Sequence, residues 1–324
     1  MENLTKIQAL VGAEYAQFRQ CWRTVLHSRV HLVNQITDYL IYQNSKHLRP
    51  LLVMLSARLH GEPNEATIWA AVTVEILHTA TLVHDDVVDE SLQRRGQPSV
   101  NALWQNKIAV LLGDYLFSKS LQAMLKLQDV EALSLLAQTS EELSAGELLQ
   151  LEHAQNQSMT EETYYAMIKA KTASLFAASC RLGAMSVGAE EGQCNALYDY
   201  GLHLGMAFQI KDDLFDLVGV EYRIGKPTDR DLKSNLMTLP LIYTLRQLPD
   251  ALAKEWRHRL AEGLDEEGLR QIKDLIESYG GIAYAERQMA VQAQAARDAL
   301  QTYGDSIFKS ALIELVEFNT RRTR

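Results

Sequence analysis

NKIAVLLGDYLFSKSLQAML, residues 106–125, carries its apolar side chains at helical and not at alternating spacing. Leu111, Leu112, Tyr115, Leu116 and Leu121 recur at the three- and four-residue steps that line one side of an α-helix. Leu133, Leu135, Leu136 and Leu143 continue the pattern. Short polar or glycine-bearing breaks punctuate it at HGEPNEAT (60–67), GAEEGQ (188–193), LPDAL (248–252), EGLDEEG (262–268) and YGD (303–305). Glycine (17) and proline (6) are sparse in the 324 residues, and strand-like alternation is nearly absent. This predicts an all-α protein of about a dozen helices joined by short loops. With no low-complexity linker or shift in composition, residues 1–324 read as one domain.

A formal charge of −9 argues against nucleic acid as a partner, since such binders usually carry a basic face. It suits a protein that collects cations. Cys21, Cys180 and Cys194 show no metal-ligand spacing and read as thiols in a reducing compartment. The start, MENLTKIQALVGAEY, lacks the basic flank and apolar stretch of a signal peptide. No run approaches the ~18–20 apolar residues of a membrane span, so a cytoplasmic protein without a transmembrane segment is expected.

An acidic echo carries the chemistry. TLVHDDVVD (81–89) and FQIKDDLFD (208–216) each end an apolar helical stretch in D-D-x-x-D. On a helix Asp85 and Asp89 share one face a turn apart, and Asp86 sits about 100° round. Asp212, Asp213 and Asp216 repeat the geometry. A lone motif of this kind reads equally well as a solvated acidic face. Two copies, each flanked by apolar residues, point to carboxylates that face each other across a helical core and hold metal. Oxygen-only ligands suit Mg²⁺, which takes one or two carboxylates and completes its shell with water and substrate phosphate. Arg94, Arg95, Lys46 and Arg49 in SKHLRP, Lys171 in KAKTAS and Lys226 in GKP add cations of the kind that pair with phosphate oxygens. Together they suggest a diphosphate bridged to the protein by metal ions.

At this point the chain resembles the trans-isoprenyl diphosphate synthases, the polyprenyl synthetase family. The matching features are SKHLRP, DDVVDESLQRRG, AKTASLF (170–176), FQIKDD, DDLFD, GKPTDRDL (225–232) and TLPLI (238–242), in the family's order over roughly residues 40–245. The resemblance implies an all-α bundle around a deep central cavity, the isoprenoid synthase fold, usually as a homodimer. It implies head-to-tail condensation of an allylic diphosphate with isopentenyl diphosphate, giving a long-chain all-trans polyprenyl diphosphate. Farnesyl or geranylgeranyl diphosphate is the expected primer.

Carried over position by position, Asp85, Asp89 and Asp212 resemble the ligands of three Mg²⁺ ions, supported by Asp86, Asp213 and Asp216. Arg94, Lys171 and Lys226 resemble the cations on the allylic diphosphate. Lys46, Arg49, His78 and Arg95 resemble the isopentenyl diphosphate pocket, closed by the basic tail RRTR (321–324). Thr172 and Gln209 correspond to positions facing the developing carbocation, and Glu147 and Gln150 in AGELLQ match a polar stretch of the same cavity. Released diphosphate can take the final proton, so His84 reads as a packing or hydrogen-bonding residue and not as a base.

Two positions depart from the family pattern. Asp229 stands where a glycine is usual, and Leu236 where a lysine often touches diphosphate. They keep open a second reading, a subunit of a hetero-oligomeric synthase with weak activity alone. A terpene cyclase, which shares the fold, is opposed by DDLFD and by the arginine pair. Short-chain members place a bulky aromatic four or five residues before the first aspartate. Here those positions are Ala80 and Thr81, with Ile76 and Leu77 one turn deeper. Since a helical turn rises ~5.4 Å, about one extended isoprene unit, the open turn predicts a product of more than four units. Tyr115 and Phe117 are weaker candidates for the floor.

Overall fold

The break expected at 60–67 becomes a helix start with both halves of a capping box. Asn64 Oδ1 accepts from Thr67 N and Asn64 N donates to Thr67 Oγ1, each at 3.1 Å. The helix so begun, Glu65–Val88, buries every residue from Ala70 to Leu77. The structure, a computed structural model, describes residues 2–43, 45–94, 96–156, 158–218 and 237–321.

In chain order these form α1 (Glu2–Ala9), α2 (Gly12–Leu26), α3 (His31–Tyr42), α4 (Leu48–Arg58) and α5 (Glu65–Val88). A two-residue ladder, β1 (Gln93–Arg94) against β2 (Gln97–Pro98), follows α5. Then come α6 (Val100–Met124), α7 (Val130–Asn156), α8 (Glu161–Ile168), α9 (Ser174–Ser186) and α10 (Glu191–Val218). After Met237 and Thr238 come α11 (Leu239–Gln247), α12 (Asp250–Glu262), α13 (Glu266–Ser278), α14 (Gly281–Ala299) and α15 (Ile307–Arg321). The all-α expectation holds, and all five breaks read from the sequence fall at helix junctions. A single π-helical turn, Lys169–Ala173, joins α8 to α9.

The chain divides into two compact units. The first comprises residues 1–140, 175–201 and 299–315, and the second 141–174, 202–298 and 316–324. In the first, α5 packs on α2, α4 and α6. Leu51 through Leu55 of α4 are wholly buried, at roughly 1.5–3 kcal/mol for each large side chain. Gly183 of α9 lets that helix touch α4, because a Cβ there would stand 2.2 Å from the Val53 carbonyl oxygen. In the second unit, Tyr164 and Ile168 of α8 join Ile210 of α10, Ile242 of α11 and Ile272 and Ile276 of α13 in one core. α13 is anchored at its start by Asp265, whose Oδ1 accepts from Gly268 N at 2.7 Å.

Two helices, Glu65–Val88 and Val100–Leu127, are long and apolar enough to cross a membrane by length and composition. The first is a core helix, with 67% of its most apolar stretch buried within the protein. The second is 39% buried and keeps an exposed apolar face. The sequence reading counted unbroken apolar runs and so passed over spans in which scattered polar residues interrupt a long apolar helix.

Candidate active site

The first acidic motif closes α5. Asp89 caps the helix, its N–H donating to the Asp85 carbonyl at 2.8 Å, and Glu90 turns left-handed (φ 49°) to end it. Asp85 and Asp89 are half-buried, a turn apart, where the helix's own carbonyls already gather partial negative charge. Carboxylates at a helix C-terminus are unfavourable unless a cation answers them. Asp86 instead turns inward and is 3% exposed. Arg94 grips its Oδ1 through Nε and Nη2, both at 2.7 Å. Arg94 lies on β1, just after α5 ends, where its side chain reaches back eight residues to the motif. Ser91 N and Asn101 Nδ2 donate to the Asp86 carbonyl at 2.9 and 3.1 Å and fix the turn.

In the same unit, Arg49 Nη1 donates to His78 Nε2 at 2.9 Å, which leaves the imidazole proton on Nδ1. The Arg49 guanidinium also lies 4.7 Å from the centre of the Phe176 ring. A cavity beside these groups is walled by Trp22, Ser45, Glu75, His78, Asp86 and Arg94. The buried Trp22 Nε1–H has no hydrogen-bond partner. Sequence spacing did not single out Trp22, Ser45 or Glu75 as cavity residues, because Trp22 comes from α2 and the other two look like ordinary polar residues of SKHLRP and α5.

In the second unit, Asp212 and Asp216 are half-buried on α10 and Asp213 is buried, the arrangement of the first motif repeated. Tyr164 Oη donates to Asp213 Oδ2 at 2.6 Å and Gln209 Nε2 to Oδ1 at 2.8 Å. Thr172 Oγ1 donates to Gln209 Oε1 at 2.7 Å, so four side chains form one line from the π-turn to the motif. Lys171 lies 2.5 Å from Glu147 Oε2 and 3.1 Å from Gln150 Oε1. Gly146 makes that approach possible, since a Cβ there would stand 2.6 Å from Lys171 N. Tyr164 escaped the sequence reading because an aromatic at helical spacing looks like core.

Burial pushes the Asp213 carboxyl up to about 7. The hydrogen bonds from Tyr164 and Gln209 oppose the rise, and the charges of Asp212 and Asp216 add to it. The folded protein therefore holds a proton that the unfolded chain releases near the ordinary value of 3.8. By linkage, this group's contribution to stability is present at low pH and is lost as pH rises through that window. In metal-free protein, Asp213→Asn flattens the fall in thermal midpoint between about pH 4 and 7. Scanning calorimetry across that range checks it, and an unchanged slope refutes it.

Of the residues proposed to set product length, Ile76, Leu77 and Ala80 are buried, while Thr81 is half-buried and donates to the His78 carbonyl at 2.9 Å. Phe117 is exposed and Tyr115 half-buried. His84 packs against Gly113 on α6, with Nε2 3.2 Å from the Val110 carbonyl oxygen. Arg95, Lys226, Asp229, Leu236 and the last three residues of the tail lie outside the described residues.

The donor chemistry fits Mg²⁺. Each motif presents two half-buried carboxylates a turn apart, with no thiol or imidazole among the motif aspartates. Among the described residues, no three His, Cys, Asp or Glu side chains form a metal cage by themselves. Mg²⁺ asks for no such cage, since it draws on one or two carboxylates, water and phosphate oxygens.

The sequence profile of the polyprenyl synthetase family matches residues 30–277. The chain belongs to the polyprenyl synthetase family. As a member it is a prenyltransferase. It is 33% identical to the octaprenyl diphosphate synthase of Escherichia coli K12, over 99% of this chain and 100% of that one. It is 36% identical to heptaprenyl diphosphate synthase component 2 of Bacillus subtilis, over 83% and 76% of the two chains. Its fold superposes with a TM-score of 0.93 on a polyprenyl synthase from Caulobacter crescentus CB15 complexed with calcium and isoprenyl diphosphate. That structure is 34% identical, with 99% of this chain and 98% of the other covered.

Proposed function

We propose that this polyprenyl synthetase condenses an allylic diphosphate with isopentenyl diphosphate, head to tail and repeatedly, to make a long-chain all-trans polyprenyl diphosphate. The observation that carries the reading is the shared construction of the two acidic motifs. In each, the middle aspartate is buried and hydrogen-bonded, and the outer two stand half-buried one turn apart. Asp85, Asp89 and Asp212 would hold Mg²⁺, three ions in all with the allylic diphosphate bound. When bound, the metal neutralises charge on the departing diphosphate.

The chain's own residues do the rest. Lys171, held by Glu147 and Gln150, offers an ammonium to the allylic diphosphate, with Arg94 and Lys226 beside it in role. Thr172 donates its proton to Gln209, which leaves hydroxyl lone pairs to face a developing carbocation. Apolar walls exclude the water that would quench that cation. Lys46, Arg49, His78 and Arg95 hold isopentenyl diphosphate. Product diphosphate takes the proton that completes the new double bond, so no protein base is required.

The enzyme is proposed to work in the cytoplasm as a homodimer. An exposed apolar row on α6, Val110, Phe117 and Leu121, supports a second copy there. The naming of one relative as a component of a two-part enzyme favours a second reading, a subunit that needs a partner. One assay decides. Purified protein with Mg²⁺, farnesyl diphosphate and labelled isopentenyl diphosphate should give a ladder of long linear prenols after dephosphorylation. Turnover only after a partner is added supports the second reading, and cyclic hydrocarbon formed without isopentenyl diphosphate overturns both.

A further inference from the structure

His47 sits between Lys46 and Arg49 in a left-handed conformation (φ 44°, ψ 48°) at the start of α4. A non-glycine residue there costs of the order of 1–3 kcal/mol and persists only where its surroundings hold it. They do. The ring is buried, and its Nδ1–H donates to Oε1 of Glu75, itself 3% exposed, at 2.8 Å. Ser45 Oγ accepts from His47 N at 3.3 Å and donates to the same Glu75 oxygen at 3.4 Å. From α2, the rings of Tyr15, Phe18 and Trp22 meet the imidazole edge-on, with centroids at 6.1, 5.5 and 5.1 Å. Gln8 Nε2 donates to the Lys46 carbonyl at 3.2 Å.

The pattern along α5 gives this arrangement its meaning. Glu75 and His78 are three residues apart and so share a helix face. Glu75 takes His47 and His78 takes Arg49, so one helix face braces two alternate residues of SKHLRP, His47 just before α4 and Arg49 in its first turn. Ser45, Glu75 and His78 also wall the cavity beside the first acidic motif. We infer that His47, fixed by Glu75, is a positioning residue that aims Lys46 and Arg49 at the diphosphate of isopentenyl diphosphate. This rests on the function proposed above. The strained backbone at His47 fixes the register of Lys46 and Arg49 on either side of it, and the Glu75 contact keeps the strain from relaxing.

The test uses His47→Asn, since asparagine tolerates the left-handed region but its side chain is too short to reach Glu75 and fill the aromatic cage. His47→Gly serves as a second variant, free of backbone strain and lacking the ring. Calorimetric titration with isopentenyl diphosphate should show affinity weakened about tenfold in both, the scale of one lost charge-assisted contact. In turnover, KM for isopentenyl diphosphate should rise alike, with kcat and KM for farnesyl diphosphate within about twofold. Glu75→Gln keeps an acceptor for the imidazole N–H and should retain most of the affinity. Equal loss for both substrates, unchanged affinity in both variants, or no binding by the wild-type chain overturns the inference. A wild-type chain that binds isopentenyl diphosphate without condensing it sinks the proposed reaction instead, and the titrations still decide the role of His47.

Discussion

Asp85→Asn should lower turnover by about a thousandfold while leaving the thermal midpoint unchanged or slightly raised, the loss of several kcal/mol of leaving-group stabilisation. The two halves of that expectation come from the same geometry. Asp85 is half-buried at the C-terminal end of α5, beside Asp89 on the same face and the helix carbonyls. Removing one negative charge there relieves a few tenths of a kcal/mol of repulsion. Asp86→Asn is the contrast. Its carboxylate is buried against Arg94, and breaking such a pair costs about 3–5 kcal/mol. Turnover and thermal midpoint, measured on both variants, separate a residue that works on the substrate from one that builds the site. Near-wild-type turnover in Asp85→Asn sinks the metal assignment.

How much of this could be read from the chain divides along local and distant lines. The breaks at 60–67, 188–193, 248–252, 262–268 and 303–305 were legible because glycine, proline and capping side chains act within a turn of where they stand. Asp86 and Asp213 were expected off the metal-facing side because 100° per residue is fixed by helix geometry, and both are buried. The partners that bury them were not legible. Arg94 reaches Asp86 from a two-residue strand with no alternating apolar pattern to announce it. Tyr164 meets Asp213 from 49 residues away, and His47 meets Glu75 from 28. Such pairings are set by tertiary packing, and a single sequence carries no period that reports them. Helix α6 shows the opposite failure. Its composition passes for a membrane span because an exposed apolar face and a buried one add up to the same average.

Ala80→Phe should shorten the product ladder by one or more isoprene units while leaving the first condensation intact. Ala80 is buried on α5, five residues before Asp85, with Ile76 a turn below it. A phenyl ring added to a filled core forces neighbours to shift and costs about 1–3 kcal/mol. The same ring added to the wall of a channel finds space and closes it. Product length and thermal midpoint therefore test one question from two sides. A shorter ladder with a midpoint close to wild type places Ala80 on the channel. An unchanged ladder with a lowered midpoint places it in packed core, and the chain then grows along another face. Ile76→Phe discriminates further. It lies ~5.4 Å deeper, so it should stop the product about one unit later than Ala80→Phe does. Chromatography of the dephosphorylated prenols reads both variants against wild type, and a reversed order of lengths would refute growth along α5.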